Sequence, residues 1–216
     1  MKETDLAKKV IIYLENLNYD IYQEVQIGQG RRADIVAIQN NISWIIETKL
    51  SLSMKLLEQA LIQRYHAHYI SIAIPDKKIN RVAEIFMHDY GIGGLKLINP
   101  KYSDWYIVEF CEPRLNRKIG HYNDIRKWVN DRHKYYAEAG NNMGEYWTPF
   151  KETTDEIYRY VKSNPGCSLK ELIDNINHHY HSSASAKSSI ARWIHRGVIK
   201  NISIKKNGKY IQLYYE

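Results

Sequence analysis

The chain has 216 residues, of which 44% are hydrophobic and 25% are charged, and its formal net charge is +7. This composition excludes disordered and collagen-like chains, and the length suffices for a hydrophobic core without disulfides or structural metals. No run reaches the ~18 apolar residues of a membrane span, the first residues are too polar for a signal peptide, and Cys111 and Cys167 form no C-x-x-C pair, so we expect a cytoplasmic protein with no membrane partner.

Hydrophobic periodicity in the first half of the chain alternates between helical and strand spacing. Helices are predicted over residues 4–17, 53–66 and 78–90, and strands over residues 20–27, 31–38, 42–49, 69–74, 95–98 and 105–110. The first three strands follow each other through short polar turns, which indicates an antiparallel meander. The order predicts an α/β fold, with a mixed sheet that has helices on both faces.

The second half of the chain changes character near residue 113. Residues 113–150 are predicted to form a linker that includes a connector helix over residues 124–139. From Thr153 the pattern gives three helices, the second capped by Ser168 and the third running from about Ser183 to His195, and then a hairpin with a basic Asn-Gly tip. This is winged-helix order. We therefore predict a first domain over residues 1–112 and a winged-helix domain over residues 151–216.

The positive charge is concentrated near the C-terminus. Residues 175–215 contain seven basic residues and no acidic one, whereas the rest of the chain has equal numbers of both. A block of this kind indicates a module that binds a polyanion, attached to a body with no net charge.

A constellation of charged residues lies on the second and third predicted strands. If Asn40 and Asn41 form the two-residue turn that asparagine tolerates at positive φ, Asp34 falls directly opposite Glu47. Side chains alternate with period two, so Lys49 and Arg32 project from the same face as the two carboxylates. Like charges in that position repel by a few tenths to ~1 kcal/mol, which suggests a cation between them.

A hard divalent ion would suit this pair. It binds carboxylate and carbonyl oxygens, which Asp34, Glu47 and the main-chain carbonyl of Thr48 can supply. A three-residue turn at 28–30 would also bring Glu24 beside Asp34 as a further ligand. Lys49 could position or deprotonate a water or neutralise a phosphate. The alternative is a solvated strand face that bears this spacing by chance.

The residues of this region resemble a known superfamily. Arg32-Ala33-Asp34-Ile35-Val36-Ala37 and Ile45-Ile46-Glu47-Thr48-Lys49-Leu50, with the preceding helix, look like the core of the PD-(D/E)xK nucleases, which include many restriction enzymes and Holliday-junction resolvases. Glu47 to Ser53, with Leu56 to Ala60 and Arg64, is similar to a bacterial family assigned as phosphodiesterases of this type that end in a winged helix.

The resemblance implies a division of roles among these residues. Asp34 and Glu47 would ligate Mg²⁺, for which Mn²⁺ could substitute, Lys49 would assist catalysis, and Gln59 would lie beside the site. Two positions depart from the pattern of the superfamily. Ala33 stands in place of proline, and Gln63 stands where RecB-like members have a tyrosine.

The third helix of the second domain and the hairpin tip are the predicted DNA contacts. Polar residues that fall away from the apolar stripe of the helix suit the major groove, and two lysines at the tip would reach the backbone; together they are Ser185, Lys187, Ser188, Arg192, Lys205 and Lys206. His178, His179 and His181 could suggest a metal site, but a turn that contacts phosphate or solvent is the favoured interpretation.

Together these patterns predict a Mg²⁺-dependent DNA endonuclease that hydrolyses phosphodiester bonds and is directed to DNA by a winged helix. The alternative is a DNA-binding regulator or accessory protein that keeps the nuclease fold without turnover. A monomer would carry one active site, so a double-strand cut would need a homodimer or two sequential nicks.

Overall fold

The computed structural model describes residues 1–27, 31–101, 104–120, 123–135, 137–140, 147–207 and 210–216. The chain divides into two compact units, Met1–Trp147 and Thr148–Glu216. Two clusters of buried apolar side chains form in the first unit and one in the second. Among the described helices, none combines the length and the apolar character that crossing a bilayer requires.

The first unit is built on a six-stranded mixed sheet. Its helices are α1 (Glu3–Asn16), α2 (Met54–Gln63) and α3 (Arg81–Tyr90), and its strands are β1 (Asp20–Ile27), β2 (Arg31–Gln39), β3 (Ile42–Thr48), β4 (Tyr69–Pro75), β5 (Gly93–Ile98) and β6 (Tyr106–Cys111). The strands lie in chain order from β1 to β6. The β1–β2, β2–β3 and β5–β6 pairs are antiparallel, and the β3–β4 and β4–β5 pairs are parallel. The predicted α/β fold with a mixed sheet is therefore confirmed.

Helices cover both faces of the sheet. The apolar side of α1, with Leu6, Val10 and Leu14, belongs to one cluster, and the apolar sides of α2 and α3 belong to the other. Helix α2 begins after Ser53, whose hydroxyl accepts the amide proton of Leu56 at 3.2 Å and thereby caps one of the free amide groups of the first turn.

The β2–β3 hairpin has the predicted register. Asn40 and Asn41 both have positive φ, at 46° and 69°, so they form the two-residue turn that places Gln39 opposite Ile42. The β1–β2 register is also as predicted, with Gln23 opposite Ile35. The turn at residues 28–30 on which that register was based lies outside the described residues.

The predicted connector helix over residues 124–139 is wrong. Two short 3-10 helices, Ile125–Lys127 and Asp131–Lys134, stand in its place. Asn130 separates them in an extended conformation, and its side chain caps the second by accepting from the Arg132 amide at 2.9 Å. A capping residue in extended backbone ends one helix and starts another, so apolar spacing alone was misleading here.

The segment predicted as a linker packs against the first unit. The amide of Gln23 on β1 donates to the carbonyl oxygen of Lys134 at 3.2 Å, and its oxygen accepts from the Ala139 amide at 3.0 Å. Residues 113–147 therefore belong to the first unit rather than to a separate connector.

The second unit has three helices and a small sheet. Its helices are α4 (Pro149–Ser163), α5 (Leu169–Asn175) and α6 (Ser183–His195), and its strands are β7 (Cys167–Ser168), β8 (Ile202–Asn207) and β9 (Tyr210–Tyr215). The strand order is β7-β9-β8. The three helices and the final hairpin are present as predicted. The hairpin tip at residues 208–209 lies outside the described residues.

Candidate functional site

Asp34 and Glu47 form a buried carboxylate pair on neighbouring strands. The ladder between β2 and β3 runs up to Ile35 opposite Ile46, and the next pair in the same register is Asp34 and Glu47. Glu47 has no exposed surface and Asp34 is 7% exposed. The amide of Asp34 donates to Oε1 of Glu47 at 3.3 Å, which brings the two residues into direct contact as predicted.

Neighbouring polar groups hold the pair in place. The amide and the hydroxyl of Thr48 both donate to Oδ2 of Asp34, at 2.9 Å and 3.1 Å. From α2, the Gln59 amide donates to Oε2 of Glu47, so Gln59 does lie beside the pair. The Gln63 amide, one turn further along α2, donates to the Arg32 carbonyl oxygen at 3.0 Å, and Gln63 helps to lower the pKa of Glu47. The site is thus built between one end of two strands and one face of a helix.

Burial makes these two carboxylates reluctant to ionise together. Loss of solvation raises the pKa of Asp34, although Lys49 and the Thr48 hydrogen bonds oppose the rise. The pKa of Glu47 lies well above its usual range, because of burial first and the neighbouring Asp34 charge second. A pair of this kind is stabilised by a shared proton or by a cation.

Lys49 lies beside the pair and is charged. Burial alone would lower its pKa, but the charges of Asp34, Glu3 and Glu47 outweigh that effect, so the net shift is upward. Its ammonium group forms an ion pair with Glu3 of α1 at 2.9 Å, and the side chain is 32% exposed. Because the ammonium group holds its proton tightly, Lys49 suits the neutralisation of charge better than proton abstraction.

The carboxylate of Glu24 is engaged elsewhere. The pairs on either side of it place Glu24 opposite Asp34 in register, but its φ is +54° and its side chain forms an ion pair with Arg32. Oε1 of Glu24 also accepts from the Gly140 amide at 2.9 Å. Among the described residues, no group of three or more His, Cys, Asp or Glu side chains is arranged to hold a metal ion, so Glu24 does not join the pair.

The chemistry of the donor set fits a hard divalent ion. Asp34 and Glu47 supply the carboxylate oxygens that Mg²⁺ and Mn²⁺ prefer, and waters would complete the coordination shell. The pKa values of both groups are raised, and a bound cation would offset the repulsion between the two ionised carboxylates. The amide and hydroxyl of Thr48 orient Asp34. A ligand role for the main-chain carbonyl of Thr48 stays a prediction.

Sequence reasoning missed two residues of this site. Glu3 precedes the helix predicted over residues 4–17, and nothing local links it to Lys49, which lies 46 positions away. Gln63 could have been found, because it follows Gln59 by four residues and therefore shares its helix face.

The predicted DNA-contacting residues of α6 are exposed, and helical spacing places Ser185, Ser188 and Arg192 on one side of the helix. Ser185, Lys187, Ser188 and Arg192 are exposed, whereas Ala186, Ile190 and Ile194 face the core. Lys205 and Lys206, which were predicted at the hairpin tip, lie within β8 opposite Gln212 and Ile211. The Lys205 ammonium lies 5.0 Å from the centre of the Tyr214 ring, which places its charge over an aromatic face. The side chain of Lys206 lies outside what the structure describes.

Two of the three histidines that follow α5, His178 and His179, make ring contacts. Nδ1 of His179 lies 2.7 Å from the hydroxyl of Thr153, and its ring contacts those of Phe150 and Tyr180. His178 lies near Tyr180 in the same cluster, at 6.0 Å between ring centres, and His181 is exposed.

Comparisons with protein-family models, with curated proteins and with solved structures each find no match to this chain.

Proposed function

We propose that the chain is a metal-dependent deoxyribonuclease of the PD-(D/E)xK type. The observation that supports this most is the buried contact between Asp34 and Glu47, with the charged Lys49 beside it. Burying two carboxylates together destabilises the folded protein, and destabilising arrangements of this kind occur most often at catalytic sites.

The roles of the residues follow from their environments. Asp34 and Glu47 would hold Mg²⁺, which when bound lowers the pKa of a water and stabilises the charge that develops on a phosphodiester. Lys49, which keeps its proton, would neutralise a phosphoryl oxygen. Gln59 and Thr48 keep the two carboxylates oriented, and Glu3 positions Lys49.

The second unit would act as a winged-helix DNA-binding module. Three helices, a hairpin and an exposed row of serine and basic residues on α6 support this role. Residues 148–216 carry 11 basic and 6 acidic residues, whereas residues 1–147 carry 20 and 18, so most of the excess charge lies in this unit. Sequence-independent contacts to phosphates would dominate its affinity.

Plasmid cleavage tests the proposal. The purified protein is incubated with supercoiled DNA in Mg²⁺, in Mn²⁺ and in EDTA, together with Glu47→Gln and with Glu15→Gln, an exposed acid of α1, as the control. We expect cleavage by the wild type and by Glu15→Gln in either metal, and none by Glu47→Gln or in EDTA. Equal cleavage by Glu47→Gln would exclude this site.

A DNA-binding protein without turnover is the second candidate. Two observations favour it: no third metal-binding side chain joins Asp34 and Glu47 among the described residues, and Lys49 is bound by Glu3. This candidate predicts salt-dependent DNA binding with no cleavage of single-stranded, duplex or branched DNA in either metal.

A further inference from the structure

The first unit has a cavity that is lined in part by basic residues and by Gln59, which contacts Glu47. Its volume is about 240 Å³, and it is lined by Arg31, Arg32, Lys55, Glu58, Gln59, Ile62 and Gln63. Gln59 also donates to Glu47, so one side chain belongs to both the cavity and the site. A group bound in the cavity would therefore be close to the site, with Gln59 between it and Glu47.

A second cavity lies at the C-terminal end of α2. Its volume is about 450 Å³, and it is lined by Arg64, Tyr65, Leu115, Asn116, Arg117 and Lys118. Gln63 lines the first cavity, and its neighbour in sequence, Arg64, lines the second. The Asn116 amide donates to the Arg64 carbonyl oxygen at 2.7 Å, which fixes residues 115–118 against the end of the helix.

The charge around these cavities is strongly positive. Six basic residues line them, and Glu58 is the only acid among their described lining residues. Arg31, Lys55, Arg117 and Lys118 are exposed. The buried Nε–H of Arg64 has no hydrogen-bond acceptor within the described part of the chain, so this guanidinium group has a donor available for a bound phosphate. The near balance of charge over residues 1–147 thus conceals a local concentration of cations.

We propose that these six residues form a basic track that binds the phosphodiester backbone of DNA beside the carboxylate pair. The basic track consists of Arg31, Arg32, Lys55, Arg64, Arg117 and Lys118. The proposal rests on the function proposed above and adds to it a DNA contact in the first unit, independent of the basic residues of the second. Arginine and lysine side chains spaced along a groove neutralise successive phosphates and so fix the position of the strand.

The alternative occupant, a small phosphorylated molecule, fits the surface less well. It would fill one cavity, whereas basic residues also line the second one at the end of α2.

The salt dependence of DNA binding tests the basic track. Two double variants of the full chain, Arg31→Gln/Lys55→Gln and Arg117→Gln/Lys118→Gln, are compared with Lys8→Gln/Lys9→Gln on α1. The control removes the same charge from exposed positions on the opposite face of the sheet. Binding to duplex DNA is measured in EDTA over a range of salt concentrations, so cleavage does not enter the readout.

The slope of log K against log salt is negative, and each lost phosphate contact makes it less steep by about 0.9 for duplex DNA. We therefore expect the slope of each double variant of the basic track to be less steep by about 2, and the slope of the control to be unchanged. A wild-type slope in either track variant overturns the proposal, and so does an equal loss in the control. Failure of the wild type to cleave DNA would instead overturn the proposed function and leave these slopes to be judged separately.

Discussion

Replacing Glu47 by glutamine should make the metal-free protein more stable. The carboxylate of Glu47 has no exposed surface, and it contacts Asp34, which is itself 7% exposed. Glutamine has nearly the same shape, so no cavity forms. Its oxygen can still accept from the Asp34 amide, and Gln59 can rotate its own amide to accept from the new NH₂ group.

The size of the effect follows from the loss of one buried like charge. Two unit charges a few ångströms apart at an effective dielectric constant of about 20 repel by roughly 3 kcal/mol, and sharing a proton relieves part of this. We expect a gain of about 1–3 kcal/mol in the free energy of unfolding. For a protein of this size, that raises Tm by roughly 2–4 °C per kcal/mol.

The gain should depend on pH in a definite direction. Because the pKa of Glu47 is raised in the folded protein, the folded state holds a proton that the unfolded state releases above a pH of about 4.5. The stability of the wild type therefore falls as pH rises from there toward the folded pKa. Glutamine does not titrate, so the advantage of Glu47→Gln in EDTA should grow between pH 5 and pH 8.

Divalent ions should remove most or all of this advantage. An ion at 100 times its Kd stabilises the wild type by about 2.7 kcal/mol and leaves Glu47→Gln unaffected. Thermal melts of both proteins, with Glu15→Gln as a control, in EDTA and in Mg²⁺ measure both effects. Two results would refute this expectation: a Tm of Glu47→Gln below that of the wild type in EDTA at pH 8, or an equal rise in the Tm of both proteins on addition of Mg²⁺.

Three further predictions concern single residues. Lys49→Met should lower the rate of DNA cleavage by about 100-fold or more while keeping the Mg²⁺-induced rise in Tm, because Lys49 neutralises charge and is not a ligand; loss of the Tm response would contradict this. Gly140→Ala should cost about 1–2 kcal/mol in urea unfolding, because φ is +77° and a Cβ would lie 3.0 Å from the carbonyl carbon of Glu3; an unchanged midpoint would refute it. Burial lowers the pKa of His133, so the stability of the wild type should fall as pH drops below about 6.5. Urea unfolding at pH 7 and pH 5 should show a smaller decrease in stability for His133→Gln than for the wild type. Equal pH dependence of the two proteins would count against this.

The carboxylate pair could be predicted because its geometry is local. The turn at Asn40 and Asn41 fixes the register of two adjacent strands, and alternation of side chains then places Asp34 and Glu47 together. Turn geometry and side-chain alternation depend on residues that are close in sequence, so both can be predicted without knowledge of the rest of the fold.

The remaining features of the site depend on contacts distant in sequence. The register of Glu24 was right, yet its carboxylate binds Arg32 and the amide of Gly140, which lies 116 positions away. The ion pair of Glu3 with Lys49 also joins separate elements. The spacing of residues in the sequence does not predict which of several basic side chains will form an ion pair with a buried carboxylate.

In the function proposed above, Asp34 and Glu47 form a metal site that hydrolyses DNA. The most direct test is the single-turnover cleavage rate of DNA measured against Mg²⁺ concentration for the wild type and Glu47→Gln, after both have been shown to fold. We predict a rate that saturates with Mg²⁺ for the wild type and no cleavage by Glu47→Gln at any concentration. Equal rates for the two proteins, or a wild-type rate unaffected by EDTA, would contradict the claim.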